Sequence, residues 1–301
     1  MEIDHLLLIS VGNTRTRWSA WRNDEPSRGT GGRSVGSGSL EPSRVMENGS
    51  VNALVEAVAE TAHALPAERS RVVVASVNDA ISEALVAEVR KGVSMPVVRL
   101  VAPGDRPEGL KVPVQHALSE PVTVGVDRLL AALGAHAKSG DACVVIDAGT
   151  AVTVDFIDAW GVFQGGVIAP GLGGMLRAMH EGTSRLPLLT TPRSPAEVPS
   201  GPIGRTTREA MMLGAMRAIQ GLAHRMIDQY AEVNGAYPRV IATGGDAALL
   251  FEHDELVEHV VPDLVLMGMA SAWRLLHADP DAGEGAGGAP SARSGRGASN
   301  T

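Results

Sequence analysis

The sequence predicts an α/β protein built from two related lobes with a ligand cleft between them. Apolar strands alternate with amphipathic helices along most of its 301 residues. A strand, a Gly-bearing turn and a second strand occur twice, as ISVGNT at 9–14 and IDAGTA at 146–151, and each copy opens an α/β half. With 44% hydrophobic residues the chain can bury one large core or two moderate ones.

The elements follow in order. Residues 6–10 read as a strand, 11–14 as a tight turn and 15–21 as a second strand, with Arg15, Arg17 and Ser19 on one face and Thr16, Trp18 and Ala20 on the other. Residues 23–50 are rich in Gly, Ser, Pro and Arg and read as including a long loop. Helical spacing returns over 51–64 and 80–91, each followed by a β-branched run, at 71–76 and 96–101. Residues 102–122 carry several prolines and no period, which predicts a connecting or lid-like loop. Gly125-Val126-Asp127-Arg128 then opens a helix over 129–138. The repeated hairpin occupies 144–171, a helix runs on to about 180, and 183–204 is again a loop. A long helix over 206–231 has its start marked by Gly204-Arg205-Thr206-Thr207 with Glu209 close behind, which suits a cap. A strand at 239–243 ends in Gly244-Gly245-Asp246, and 263–276 is a last helix. From 278 onward Gly, Ala, Ser, Pro and Arg cannot build a core, so a disordered tail is expected. The expected division is 1–124, 125–277 and a tail at 278–301.

Composition narrows the function. A net charge of −8 excludes a general nucleic-acid surface, so an anionic substrate needs local devices: backbone amides, an arginine or two, a metal ion. The single cysteine, Cys143, opens an apolar run and reads as buried core; alone it excludes an intramolecular disulfide framework or a cysteine-cluster zinc site. MEIDHLLLIS lacks a basic start and a long apolar stretch, and no membrane span is visible, so a cytoplasmic protein is expected.

The chemistry sits at the turns. Asp147, Gly149 and Thr150 form a polar tip, and Thr153 and Asp155 follow on the next strand; taken alone, Asp-x-Gly-Thr is also an ordinary turn. Two such tips facing each other would clamp a phosphate, while Thr243-Gly244-Gly245 offers close backbone approach to a nucleotide. A carboxylate beside an arginine at a helix start, Asp127-Arg128, suits proton removal from an alcohol, or simply a helix cap with a solvated neighbour. Read on their own, Arg15 and Arg17 fit a solvent-facing strand edge and Thr207 a helix cap. His180 reads as a packed histidine, and Met211, Met212 and Met216 as helix core or dimer face.

The paired tips resemble the acetate and sugar kinase, heat-shock chaperone and actin superfamily, with its ribonuclease H-like lobes. GVDR at 125–128, DAGTAVTVD at 147–155, GGVIAPGLGGMLRAMHEGTSRLP at 165–187, IGRTT at 203–207, TGG at 243–245 and DLVLMG at 263–268 are similar, in order and spacing, to the type III pantothenate kinases. That resemblance implies ATP-dependent phosphorylation of pantothenate, the first step toward coenzyme A, by a homodimer using Mg²⁺ or another divalent metal and K⁺ or NH₄⁺. By position it implies that Ser10, Val11, Gly12, Asn13, Thr14, Arg15, Thr16, Arg17 and Thr150 meet ATP. Gly125, Val126, Asp127, Arg128 and Thr207 would meet pantothenate, with Asp127 as general base, and Asp147 would bind the monovalent cation. The chain departs from the pattern at Ser10, where the family carries an aspartate that helps hold magnesium, and at Leu118, where it often carries a tyrosine. The first departure opens an alternative: a catalytically impaired member acting as a ligand-binding or regulatory accessory protein.

Overall fold

The computed structural model describes residues 3–23, 38–105 and 108–278. The predicted tail at 279–301 and much of the predicted loop after residue 23 lie outside them. Strand β1 (His5–Val11) turns into β2 (Arg15–Asn23), followed by β3 (Gly38–Leu40), β4 (Arg44–Glu47), α1 (Val51–His63), β5 (Ser70–Ser76), α2 (Asp79–Gly92), β6 (Val97–Val101) and β7 (Leu110–Lys111). Helix α3 (Val126–Ser139) leads into β8 (Cys143–Ala148), β9 (Ala151–Ile157), β10 (Phe163–Pro170) and α4 (Leu172–Glu181). Then come α5 (Thr207–Asn234), β11 (Arg239–Thr243), α6 (Ala247–Phe251), β12 (His259–Val260) and α7 (Leu264–Leu276).

The two sheets repeat one plan. The first runs β3-β2-β1-β5-β6-β7 with β4 also paired to β2, and the second runs β10-β9-β8-β11-β12. In each, the leading strand is antiparallel to its hairpin partner and parallel to the strand that follows a helix. ISVGNT and IDAGTA therefore occupy the same turn of the two lobes. This is the ribonuclease H-like arrangement expected from the sequence.

Side-chain alternation divides each central strand between two cores. Leu7 and Ile9 of β1 pack on the α1 and α2 side, whereas Leu6 and Leu8 face α3 and α7. In β8, Val144 and Ile146 face α5, while Cys143 and Val145 face the same α3–α7 pair. That helix pair is thus sandwiched between the sheets, so one core is shared by residues on both sides of the expected 124/125 division.

The close packing of α3 on α7 explains why the motif DLVLMG ends in glycine. A Cβ at Gly268 would fall 1.8 Å from the Leu130 carbonyl oxygen. Gly268→Ala is expected to destabilise the fold by about 3 kcal/mol, the upper end of ordinary overpacking costs, because a helix backbone must move. A urea midpoint matching the parent's would contradict this.

The structure adds β3 and β4 within 23–50 and β7 within 102–122, both read as loop from the sequence, and α6 with β12 in 247–262, where the sequence suggests no element. These are too short to show a period, and β3 and β4 exist through their pairing with β2. The long helix starts where expected. Thr206 accepts from the Glu209 amide while the Glu209 carboxylate accepts from the Thr206 amide, a reciprocal cap worth about 1 kcal/mol.

Candidate active site

The first tip is held from behind. Gly12 N donates to Arg15 O at 3.0 Å. Asn48, just beyond β4, donates its side-chain amide to Gly12 O at 2.8 Å, accepts from the Thr16 hydroxyl at 2.7 Å and gives its backbone N–H to Thr14 O at 2.9 Å. The sequence offered no local sign of Asn48, which lies in the stretch read as a loop. Val11 and Thr16 are buried, so their side chains serve the fold and present only backbone to a ligand, whereas Asn13, Thr14 and Arg15 are exposed at the tip. Ser10 is half-buried between Arg17 of β2 and Ala75 of β5.

The two predicted arginines differ. Arg17 is engaged: its guanidinium donates to Asp263 Oδ1 at 2.7 Å and to Ser43 Oγ at 2.9 Å, and Ser43 donates to the same carboxylate at 2.6 Å. Arg15 reaches across to the other lobe, where a Cβ on Gly245 would stand 2.8 Å from its Nη1. Burial raises the pKa of Asp246 and the Arg15 charge opposes that rise.

The tips meet. The Thr14 and Thr150 hydroxyls lie 2.7 Å apart across the cleft, one hydrogen bond joining residues that stand in equivalent turns of the two lobes. Behind Thr150, the Thr243-Gly244-Gly245 turn closes on β8. Gly244 has φ +98°, and a Cβ there would lie 2.4 Å from Asp147 Oδ1 and 2.3 Å from Ala148 O. Only glycine both takes that backbone conformation and leaves the Asp147 carboxylate its space.

Below the tips lies a group of acids. Gly125 caps α3, and Asp127 in the first turn accepts from the Arg128 amide at 2.8 Å. The Arg128 guanidinium grips Asp155 of β9 through two bonds, Nε to Oδ2 at 3.0 Å and Nη2 to Oδ1, and sits 5.6 Å from the centre of the Phe163 ring. The Asp155 carboxylate is enclosed, at 2% exposure for the residue, and the buried Thr153 hydroxyl leans on it without a hydrogen bond of good geometry.

Burial pushes up the pKa of all three aspartates. For Asp127 the Asp155 charge adds to the rise, and the Arg128 amide and charge resist it. Asp147 is pushed to about 7, first by burial and then by Asp127 and Asp155, with Arg17 opposing. Burial also raises Asp155 while Arg128 lowers it. For Arg128 burial works downward, but the Asp155 bond and charge raise its pKa overall. A guanidinium does not give up its proton in a protein, so the doubly bonded Arg128–Asp155 pair is ionised.

The predicted residues do not all converge. Asp127, Arg128, Asp147 and the facing Thr14 and Thr150 form one constellation. Thr207 is exposed at the start of α5, and among the described residues no hydrogen bond or ion pair ties it to that group. His180 is exposed and not packed; its Nδ1 lies 2.7 Å from Leu186 O, which leaves it a structural role at the end of α4. Met211, Met212 and Met216 lie in the core beneath β8 and β9. Cys143 is buried, its thiol pushed up to about 12 by burial. Residues 115–117 of the predicted lid-like stretch lie beside the start of β10, with Gln115 O accepting from Phe163 N at 2.8 Å and Ala117 N donating to Phe163 O at 3.0 Å. This brings Leu118 beside Gly165, close to the ring under Arg128. Among the described residues no three His, Cys, Asp or Glu side chains are grouped to hold a metal ion. A broad depression between α2 and the β6–β7 edge shares no residue with the constellation, so chemistry and not concavity locates the site.

The family profile of the type III pantothenate kinases matches residues 6–229. The chain belongs to the type III pantothenate kinase family. Among relatives of that name, one from Aromatoleum aromaticum is 32% identical over 269 residues, covering 89% of this chain and 98% of its own. One from Akkermansia muciniphila is 43% identical over 152 residues, 50% of this chain and 61% of its own. For that relative and the one from Maricaulis maris, the match spans 61% and 62% of their length. Among solved structures, a Campylobacter jejuni protein described as a conserved putative Baf family transcriptional activator has the same fold, with a TM-score of 0.53 over 90% of this chain and 98% of its own at 18% identity.

Proposed function

We propose that this type III pantothenate kinase family member transfers the γ-phosphoryl group of ATP to the primary hydroxyl of pantothenate, the entry step to coenzyme A. The observation that carries this reading is the placement of Asp127 and Arg128 beneath two facing hairpin tips. Backbone amides of 10–17 and the Thr150 hydroxyl hold the phosphates. Gly125 to Arg128 hold the acceptor, with free N–H groups of Arg128 turned to its carboxylate. The hydroxyl oxygen attacks the γ-phosphorus, the bond from phosphorus to the β–γ bridging oxygen breaks, ADP leaves and Asp127 takes the proton.

Asp147 fits a monovalent cation, potassium or ammonium. Its half-buried carboxylate lies against Gly149 and Gly244 and, among the described residues, takes no hydrogen bond or ion pair. Such a cation would offset the charge gathered there. The fit to a divalent ion is poorer, because the first tip offers the neutral hydroxyl of Ser10 where Mg²⁺ favours a carboxylate. A homodimer in the cytoplasm is the assembly and location we infer from the family. Among the described residues no helix is long and apolar enough to cross a membrane. Thr207, exposed and apart from the other acceptor residues, fits a role that a second copy completes.

The test is direct: phosphopantothenate formation with Mg²⁺ or Mn²⁺ and with K⁺ or NH₄⁺. Absence of product from protein shown to be folded overturns the reading and leaves the accessory one that Ser10 favours. The pH profile adds a check. Asp127 acts deprotonated and burial raises its pKa, so kcat holds at higher pH and falls as pH drops through that raised value. The acidic limb is expected above the ordinary carboxylate range, and a limb within that range would contradict the assignment.

A further inference from the structure

We propose that Asp155 is a positioning residue: its two bonds to Arg128 fix the guanidinium at one angle beside Asp127, so that the remaining N–H groups face the carboxylate of the acceptor. The inference rests on the kinase reading above and names the residue that sets its acceptor geometry.

Three observations carry it. First, the pair uses Nε and one Nη2 hydrogen, which leaves both Nη1 hydrogens and the second Nη2 hydrogen directed away from Asp155. A long side chain with several rotors becomes a fixed fork. Second, the anchor itself is rigid. Asp155 lies in the middle strand of three, paired with Val145 of β8 and Gly166 of β10. Its carboxylate fits there because residue 166 lacks a side chain: a Cβ would stand 2.4 Å from Asp155 Oδ1. The Phe163 ring lies on the neighbouring strand and is held by backbone bonds to 115 and 117, so the guanidinium is fixed by ring and carboxylate together.

Third, the pair is costly where it stands. A buried ion pair adds little stability over an apolar pair of similar volume. Here the Asp155 charge also disfavours ionisation of Asp127 and Asp147. Folding alone does not account for a third carboxylate among two others, whereas a fixed orientation for Arg128 does. In sequence Asp155 reads only as a polar strand residue after the tip, and its partner lies 27 positions earlier.

Kinetics of Asp155→Asn and Asp155→Glu in the full chain test this, together with the Arg128 Nε–H resonance. The first variant removes charge and one strong bond; the second keeps the charge and moves it by a methylene, which guards against misfolding of the neutral form. Both are expected to raise the pantothenate KM by about tenfold or more while the ATP KM stays within about twofold, since misplacement of a binding group by an ångström has effects of that size. The Arg128 Nε–H signal is expected to exchange slowly in the parent, where Nε bonds Asp155, and should broaden or vanish in Asp155→Asn. An unchanged pantothenate KM in an Asp155→Glu protein that melts like the parent overturns the proposal, as does an equal rise for both substrates. If the parent makes no phosphopantothenate, the kinase reading is what fails. The resonance then still decides: unaltered in Asp155→Asn, it overturns Asp155 as the anchor; lost, it supports it.

Discussion

Asp127→Asn is expected to lower kcat by about a thousandfold, within the range by which a positioned general base accelerates proton removal. The substitution preserves shape, and the amide oxygen of asparagine can still accept from the Arg128 N–H that Asp127 Oδ1 now takes at 2.8 Å. The first turn of α3 therefore stays in place. What disappears is the group able to accept the proton of the attacking hydroxyl. Binding of ATP, held by the opposite tip, should change little, so the ATP KM separates lost chemistry from lost folding. A variant turning over within about tenfold of the parent would remove Asp127 from the role of base, because that is less than base catalysis normally supplies.

Ser10→Asp should raise Mg²⁺-dependent kcat/KM by on the order of a hundredfold, about what one well-placed electrostatic group contributes. The site receives the change at a half-buried strand end, beside Arg17 in the neighbouring strand. That arginine is committed to Asp263, so it does not fully neutralise a new carboxylate. A half-buried carboxylate there would find Arg17 already committed, so the metal-free variant should melt below the parent. Magnesium with nucleotide should restore it. An active parent with a modest gain favours an enzyme that tolerates serine. A nearly inactive parent with a large gain favours the accessory reading, and no gain in a folded variant shows that the first tip does not meet the metal.

Much of this was legible in the chain because the same short pattern occurs twice. Ile9 to Thr14 and Ile146 to Ala151 share an apolar strand, a glycine and a hydroxyl, and both became the turn between a leading strand and its hairpin partner. Asp127-Arg128 announced itself through residue type at a helix start. The remainder depends on partners far apart in sequence. Asn48 clamps a tip more than thirty positions earlier, at the |i−j| of 36 that separates it from Gly12. Arg17 and Asp263 are 246 positions apart, so the ion pair they form has no signature in the local sequence. Asp155 acquires its role from Arg128 by the same route. Short strands such as β3 and β7 were invisible for another reason: a two- or three-residue element has no period to read.

The helix pair α3–α7 has a bearing on the independence of the two lobes as well as on rigidity. Gly268 seats its backbone on Leu130, and both sheets lay apolar side chains on that pair. Whichever half is removed, the other keeps an uncovered apolar face. Two lobes of the same plan are in this way mutually obligate: neither can be expressed alone without exposing what the other covers.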